Sequence, residues 1–372
     1  MPFANIRPAR FRGREQGASS GTIGSPNEWQ FRQSVRGNPP DRISEKSTVR
    51  GAQMAAVRAL AVVRLMKVRR RGARRKRLGI LHTASEPHAP SCSGSIRAFM
   101  RAAAGQGLDA VILGKDAIAR VDELDGLLIR DLTSPRNHTY DFARAAEARG
   151  IPVLDDARSI VRCSDKVFLH HELTKAGVPT PRGVILTAAD AVAAAIDALG
   201  LPLVLKLPEG AFSKGVYRVI SRPEAETKLF ELMSRAPAVV AQEYLPTAFD
   251  WRIGVLAGEP LFACRYHMAP GHWQIVDHRH EQPCEGAVEP LALADAPAEA
   301  VALALKASAR MGEGLYGVDI KERGGRFYVI EVNDNPDIHH AFEASRPSDR
   351  VWSRIAGWFA ERAIDRAVPA AA

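Results

Sequence analysis

Apolar and polar positions alternate through Leu315–Lys321 and again through Arg326–Asn333, with Gly324-Gly325 between them. The pattern predicts two β-strands joined by a tight turn. Strand side chains alternate faces, so Glu331 and Asn333 share one face and Val332 takes the other. Asp319 shares a face with Glu331 if the loop is three residues long or carries a bulge, and not if the turn is a plain two-residue one. Asp, Glu and Asn converging on one face form a net-negative oxygen cluster of the kind that binds Mg²⁺. The carboxylate inside the apolar run YVIEVN needs a partner, and a cation supplies one. The competing reading is a hairpin whose polar residues face water.

Upstream, short apolar strands alternate with helical patterns. Strands are expected at Arg77–His82, Ala110–Leu113, Gly126–Ile129 and Val153-Leu154, with helices near Ile96–Ala104 and Tyr140–Arg149. This texture predicts a small parallel α/β domain over 77–163. His82, Arg130, Asp131, Arg136 and His138 fall at or just after its strand ends, the edge that binds ligands in open α/β sheets. As a group they are a weak substrate-site candidate; singly, each reads as loop polarity.

From 164 to 368 the pattern becomes α+β. Ser164-Asp165 caps a helix with Lys166 in its first turn, where a positive charge opposes the helix dipole unless an anionic ligand is present. The strand Pro202–Leu207 carries Lys206 and leads into the loop PEGAFSKGV, a phosphate-cradling arrangement in which Ser213 and backbone N–H groups meet oxygens. Val239–Leu245 turns polar at Gln242-Glu243. Two strands around a turn at Ala257–Pro260 follow. Asp250 and Arg252 share a face of the first, and Arg265 and His267 share a face of the second. Arginines on paired strands ordinarily make surface salt bridges of little worth; beside a phosphate site, Arg252 and Arg265 would instead clamp a transferring phosphoryl group. A polar, mobile loop follows Gly271–Arg279, and helices are expected at Ala298–Met311 and Val351–Ala363.

The net charge of +9 looks like a nucleic-acid signal until it is divided along the chain. Residues 1–77 hold 19 basic and 4 acidic residues, and the remainder 32 and 38, so the folded part is mildly acidic. A nucleic-acid partner is therefore not expected for it. Residues 1–76 read as a disordered basic leader with a short helix within Gly51–Lys67. A start codon assigned too early, with Met54 or Met66 as the true first residue, is the favoured explanation; a transit peptide or an RNA- or membrane-touching tail are the others. Four scattered cysteines fit a reducing cytoplasm. No apolar run reaches ~18 residues, so no membrane span is expected.

The segments SDK (Ser164–Lys166), LVLK (Leu203–Lys206), QEYL (Gln242–Leu245), DWR (Asp250–Arg252), GVDI (Gly317–Ile320) and VIEVNDNP (Val329–Pro336) resemble, in order and spacing, the ATP-grasp superfamily. The nearest resemblance is to its RimK-type branch of carboxylate–amine ligases, over about residues 77–365. It implies a small α/β domain followed by an ATP-grasp fold, with ATP and Mg²⁺ as cofactors and Mn²⁺ as a substitute. It implies that Lys166 and Lys206 hold nucleotide phosphates and that Ser213 and Gly215 belong to the phosphate-covering loop. Gln242, Glu243, Tyr244 and Leu245 would be the adenine linker, with Glu243 reading the adenine amino group or ribose and Asp250 near the ribose. Arg252 and Arg265 resemble the catalytic arginines, and Asp319, Glu331 and Asn333 the metal ligands. Lys214 departs from the usual pattern of the phosphate loop.

The expected activity is ADP-forming ligation of a small-molecule or peptide carboxylate to an amine, glutamate ligase-like, in a homodimer or homotetramer. The rivals are a glutathione synthetase, a small-molecule kinase on the same fold, and a non-catalytic nucleotide-binding protein.

Overall fold

The computed structural model describes residues 74–83, 90–210, 213–346 and 350–364. The expected leader helix and the arginine cluster at 69–71 lie outside the described residues. Strands β1 (Lys76–Leu81), β2 (Leu108–Leu113), β3 (Gly126–Ile129) and β4 (Val153–Leu154) form a parallel sheet in the order β2-β1-β3-β4. Helices α1 (Ser93–Gly105) and α2 (His138–Glu147) alternate with these strands. Leu127, Leu128 and Ile129 of β3 are all buried, as expected of a strand covered on both faces.

Helices α3 (Ala157–Ser164) and α4 (Lys166–Lys175) lead to a second, antiparallel sheet. It contains β5 (Gly183–Leu186), β6 (Leu203–Lys206), β7 (Val216–Val219) and β8 (Val239–Glu243), in the order β5-β8-β6-β7. Its core, with Leu203, Leu205 and Val239, is closed by α5 (Val192–Leu199) and α6 (Arg222–Met233).

The third sheet holds β9 (Phe249–Leu256), β10 (Glu259–His267), β13 (Val288–Leu291), β14 (Leu315–Arg323) and β15 (Arg326–Asp334) in the antiparallel order β13-β10-β9-β14-β15. A short ribbon, β11 (Val276–Asp277) with β12 (Cys284–Glu285), lies within the β10–β13 connection. Helix α7 (Ala298–Ser308) buries Ala300, Ala304 and Ala307 in one core with Ile253 and Val318. Phe262 and Cys264 share another core with Trp352, Ile355 and Phe359 of α8 (Val351–Arg362) and with Leu78 and Phe99 of the parallel layer.

Two bulges decide which side chains of the third sheet face which way. In the β14–β15 hairpin, Gly324 and Gly325 form a two-residue turn with φ of +60° and +72°, conformations that glycine adopts without strain. A regular ladder from that turn would pair Asp319 with Ile330. Instead Ile320 pairs with Val329 and Asp319 with Glu331, leaving Ile330 as the extra residue. The required face-sharing is therefore present, produced by a bulge in the strand and not by a longer loop.

The second bulge, in β9–β10, has the opposite consequence for the prediction. Pro260 pairs with Val255 but Phe262 with Gly254, so Leu261 is extra. Beyond it Cys264 pairs with Arg252, Arg265 with Trp251, and Tyr266 with Asp250. Arg265 thus lies on the face opposite Arg252. The Phe262 ring lies over Gly254, where an added Cβ would come within 2.3 Å of Phe262 Cδ1.

Candidate active site

A cleft of about 570 Å³ lies between the second and third sheets, with the loop after β3 at one end. The third sheet contributes Asp250 and Arg252 from β9, Tyr266 from β10, Asp319 and Lys321 from β14, and Glu331 and Asn333 from β15. Lys166 enters from the first turn of α4, whose cap is Asp165; its carboxylate accepts from the N–H groups of Val167 and Phe168. Ser164 instead turns its hydroxyl back to the Ile160 carbonyl. Lys206 stands at the end of β6, and Ser213 and Lys214 line the cleft from the loop that follows. Gln242, Glu243, Tyr244 and Leu245 line it where β8 leaves the second sheet.

Six charged groups in this cleft form three ion pairs. Arg252 holds Asp319 in a two-pronged ion pair, Nε to Oδ1 at 2.5 Å and one terminal nitrogen to Oδ2 at 3.0 Å. Lys166 Nζ lies 2.9 Å from Glu331 and donates to the Gly210 carbonyl at 2.7 Å. Lys321 Nζ donates to Asp250 at 2.6 Å and to Thr247 Oγ1 at 2.7 Å. Each pair supplies the counter-charge that a buried ion requires. Burial pushes the Asp319 carboxyl up to about 6 against the pull of Arg252. For Glu331 burial also acts upward, but Lys166 outweighs it and the carboxyl ends below its usual range. Burial pushes Lys206 down to about 8.

The donor set fits a hard divalent cation. Asp319 and Glu331 are cross-strand partners, and the Asn333 amide lies 3.1 Å from Asp319 Oδ2. The amide presents nitrogen there, and a flip presents its oxygen. Asp334, next along β15 and out of phase with Asn333, also lines the cleft; its Oδ2 is buried without a hydrogen-bond partner, and burial pushes its carboxyl up to about 7. Two carboxylates and an amide are all-oxygen chemistry, which suits Mg²⁺.

Three expectations are corrected by position. Arg265 does not line the cleft: it pairs with Glu289 at 3.2 Å and stacks on Phe249 and Trp251, because the Leu261 bulge turns it to the other face. Its expected place is taken by Tyr266, whose ring lies 4.6 Å from the Arg252 guanidinium carbon. Gly215 lies in the β6–β7 turn, with φ +77° and its carbonyl accepting from Leu207 N–H, and does not line the cleft. The Glu243 carboxylate is held by Arg182, by backbone N–H and side-chain Nε at 2.9 Å each, which removes it as a free reader of the nucleotide.

Two members of the polar group at the parallel-sheet edge, Arg130 and Asp131, are engaged within the fold. Arg130 is fully buried and donates to Ser91 Oγ, Asn335 Oδ1 and the Pro90 and Pro336 carbonyls, clasping the loop after β15. Asp131 accepts from Thr83 N–H and its hydroxyl and lies 2.9 Å from His138 Nε2. Leu132–Pro135, just beyond, line the cleft instead. Sequence reasoning did not single out Lys321, Tyr266 or Asp334 as site residues. Period-two alternation from Asp319 would have marked Lys321, and alternation from Arg265 would have placed Tyr266 on the face opposite it.

Two antiparallel sheets close on a cation-lined cleft beside a parallel α/β layer, the arrangement of an ATP-grasp fold. Residues 163–346 match the RimK-like ATP-grasp domain, and this part of the chain is such a domain. A protein named "Probable alpha-L-glutamate ligase" from Alcanivorax borkumensis is 29% identical over 221 residues, 59% of this chain and 70% of the relative. The D-alanine–D-alanine ligase of Bacillus anthracis complexed with ATP superposes with TM-score 0.59 at 21% identity, over 78% of this chain and 97% of that one. A RimK domain ATP-grasp protein from Sphaerobacter thermophilus gives TM-score 0.55 at 21% identity, covering 77% and 99%.

Proposed function

We propose that the protein is an ADP-forming carboxylate–amine ligase acting on an amino acid or peptide, in the manner suggested by the glutamate-ligase name of its relative. The observation that carries the reading is the set of preformed ion pairs Arg252–Asp319, Lys166–Glu331 and Lys321–Asp250 in one cleft. ATP brings anions that compete for the cations, and Mg²⁺ competes for the carboxylates. The pairs are poised to exchange partners without leaving a buried charge unpaired.

Carboxylate attack on the γ-phosphorus brings two anions together, so the site has to supply positive charge where the phosphoryl group passes. Lys166 and Lys206 hold phosphate oxygens, and Arg252 faces the charge that builds on the transferring group. Tyr266 keeps the Arg252 guanidinium in place from beneath. Asp319, Glu331 and Asn333 would hold Mg²⁺, which would supply further charge neutralisation there; Mn²⁺ has the same preference for oxygen donors. The acyl phosphate so formed is then open to the amine, with phosphate as leaving group. Water has to be excluded meanwhile, and Met268, Trp273, Gln274 and Ile275 wall the cleft in the segment between β10 and β11.

With Glu243 occupied by Arg182, the adenine contact falls to Gln242, Tyr244, Leu245 and the main chain. Asp250, paired with Lys321, belongs with the phosphates more than with the ribose. Residues 77–163 and 164–368 are proposed as the two domains, and the cytoplasm as the location, from the four scattered cysteines of the sequence. Among the described residues no helix is long and apolar enough to cross a membrane. ADP release screened against pairs of carboxylates and amines, with mass detection of an amide product, tests the reading. ADP release that needs a carboxylate and yields a phosphorylated product, with no amide, would make it a kinase.

A further inference from the structure

On the parallel-layer side of the molecule, Cys92, His339 and His340 bring one donor atom each to within 4.8 Å of one another. They come from segments far apart in sequence, the start of α1 and the loop after β15. We propose that these three side chains form a second metal site, for a borderline-soft divalent cation of the Zn²⁺ class, that staples that loop to α1.

Three observations show that the donors are placed and not adrift. Cys92 occupies the N-cap position of α1, yet its side chain makes no capping hydrogen bond. Its Sγ instead lies 3.5 Å from His340 Nδ1 and 3.4 Å from Ser95 Oγ. The His340 ring lies directly against Gly94, where an added Cβ would come within 2.7 Å of Cε1 and push the ring aside. Ser95 Oγ accepts from His340 N–H at 2.9 Å, and Glu343 accepts from His339 N–H at 2.7 Å, fixing the main chain under both rings. The two segments are already stitched, since Ile338 N–H donates to the Pro90 carbonyl and Ser91 Oγ to the Ile338 carbonyl.

The chemistry selects the ion. A tetrahedral ion with bonds of about 2.0–2.3 Å separates its ligand atoms by roughly 3.3–3.8 Å, and the Cys92–His340 separation falls within that range. A thiolate and two imidazoles favour Zn²⁺ over Mg²⁺, whose oxygen site lies elsewhere in the fold. His339 gives up the bond that its Nδ1 accepts from Ala341 N–H when either ring nitrogen takes the metal. Glu343 is engaged by Tyr266 and His339, so the fourth position is left to water or an exogenous anion.

Cobalt(II) is the probe. Chelator-stripped full-length protein, titrated with Co²⁺ without ATP, should develop a thiolate-to-cobalt charge-transfer band that saturates at one equivalent. Oxygen-bound Co²⁺ at the magnesium site gives no such band. Zn²⁺ should bleach it and excess Mg²⁺ should not. Cys92→Ser and His340→Ala should each abolish it, whereas Cys284→Ser, which alters the exposed thiol, should leave it. A metal-free melting temperature that is unchanged in Cys92→Ser, with Zn²⁺ raising only the wild-type value, completes the support. Absence of the band from wild-type protein, or its persistence in Cys92→Ser, overturns the proposal.

Discussion

Asp319 stands directly across the hairpin from Glu331 because Ile330 is an extra residue in β15. The two carboxylates therefore face one cleft, each already held by a cation: Asp319 by Arg252 and Glu331 by Lys166.

Asp319→Asn should test how far Arg252 depends on that pairing. It leaves a buried guanidinium without its counter-charge, at a cost of about 3–5 kcal/mol. Chemical denaturation should show that loss, and Mg²⁺-dependent ADP release should fall with it. An unchanged unfolding midpoint would contradict the pairing.

The two arginines first grouped together should separate in assay. Arg252→Ala is expected to lower kcat by about 10²–10³, the scale of removing one donor aimed at developing charge. Arg265→Ala should leave kcat within a few-fold. Its loss of a half-exposed ion pair and of stacking on Trp251 should cost at most about 1 kcal/mol in an unfolding titration. Equal kinetic defects would return Arg265 to the cleft.

Those arginines also show what was readable in the chain. Ten of the fifteen described strands and both hairpins follow from alternation and turn residues and lie near the expected boundaries, whereas the pattern marks no strand at β5, β7, β11, β12 or β13 and does not give the order of strands within a sheet. Facing depends on parity, and a single bulge inverts it. At Ile330 the bulge supplied the face-sharing that had been set as a condition. At Leu261 it removed the one expected for Arg265. Neither bulge has a composition signal, although Gly254 under the Phe262 ring marks the second register in retrospect. The engagement of Glu243 by Arg182 and the clasp made by Arg130 join residues distant in sequence, and no local pattern predicts such partners.

ATP affinity should depend on the charge of Lys206. Burial lowers this amine to about 8, so it is charged below that value and loses its proton above it. Phosphates favour the charged form, and ATP affinity should therefore fall as pH rises through about 8. Lys206→Arg, with a guanidinium that stays charged, should flatten the profile measured by titration calorimetry. The linkage to folding has the opposite sign. Between about 8 and the ordinary lysine value the unfolded chain binds more protons, so this residue's contribution to stability rises with pH there.

Tyr266→Phe should affect stability more than binding. Its hydroxyl donates to Glu343 at 2.5 Å in a buried contact, and removing it leaves a buried carboxyl oxygen unpaired, at about 1–3 kcal/mol. The ring under Arg252 remains. Thermal unfolding should therefore shift downward while the KM for ATP stays within a few-fold. A large KM change with no stability loss would place the hydroxyl in nucleotide binding instead.

The most direct measurement is product analysis with wild-type protein and Glu331→Gln side by side, supplied with ATP, Mg²⁺ and a panel of amino acids and short peptides. The account predicts that the wild type releases ADP in step with an amide whose mass is that of acid plus amine less one water. Glu331→Gln should release neither. ADP release undiminished in Glu331→Gln, or a phosphorylated product with no amide from the wild type, would contradict it.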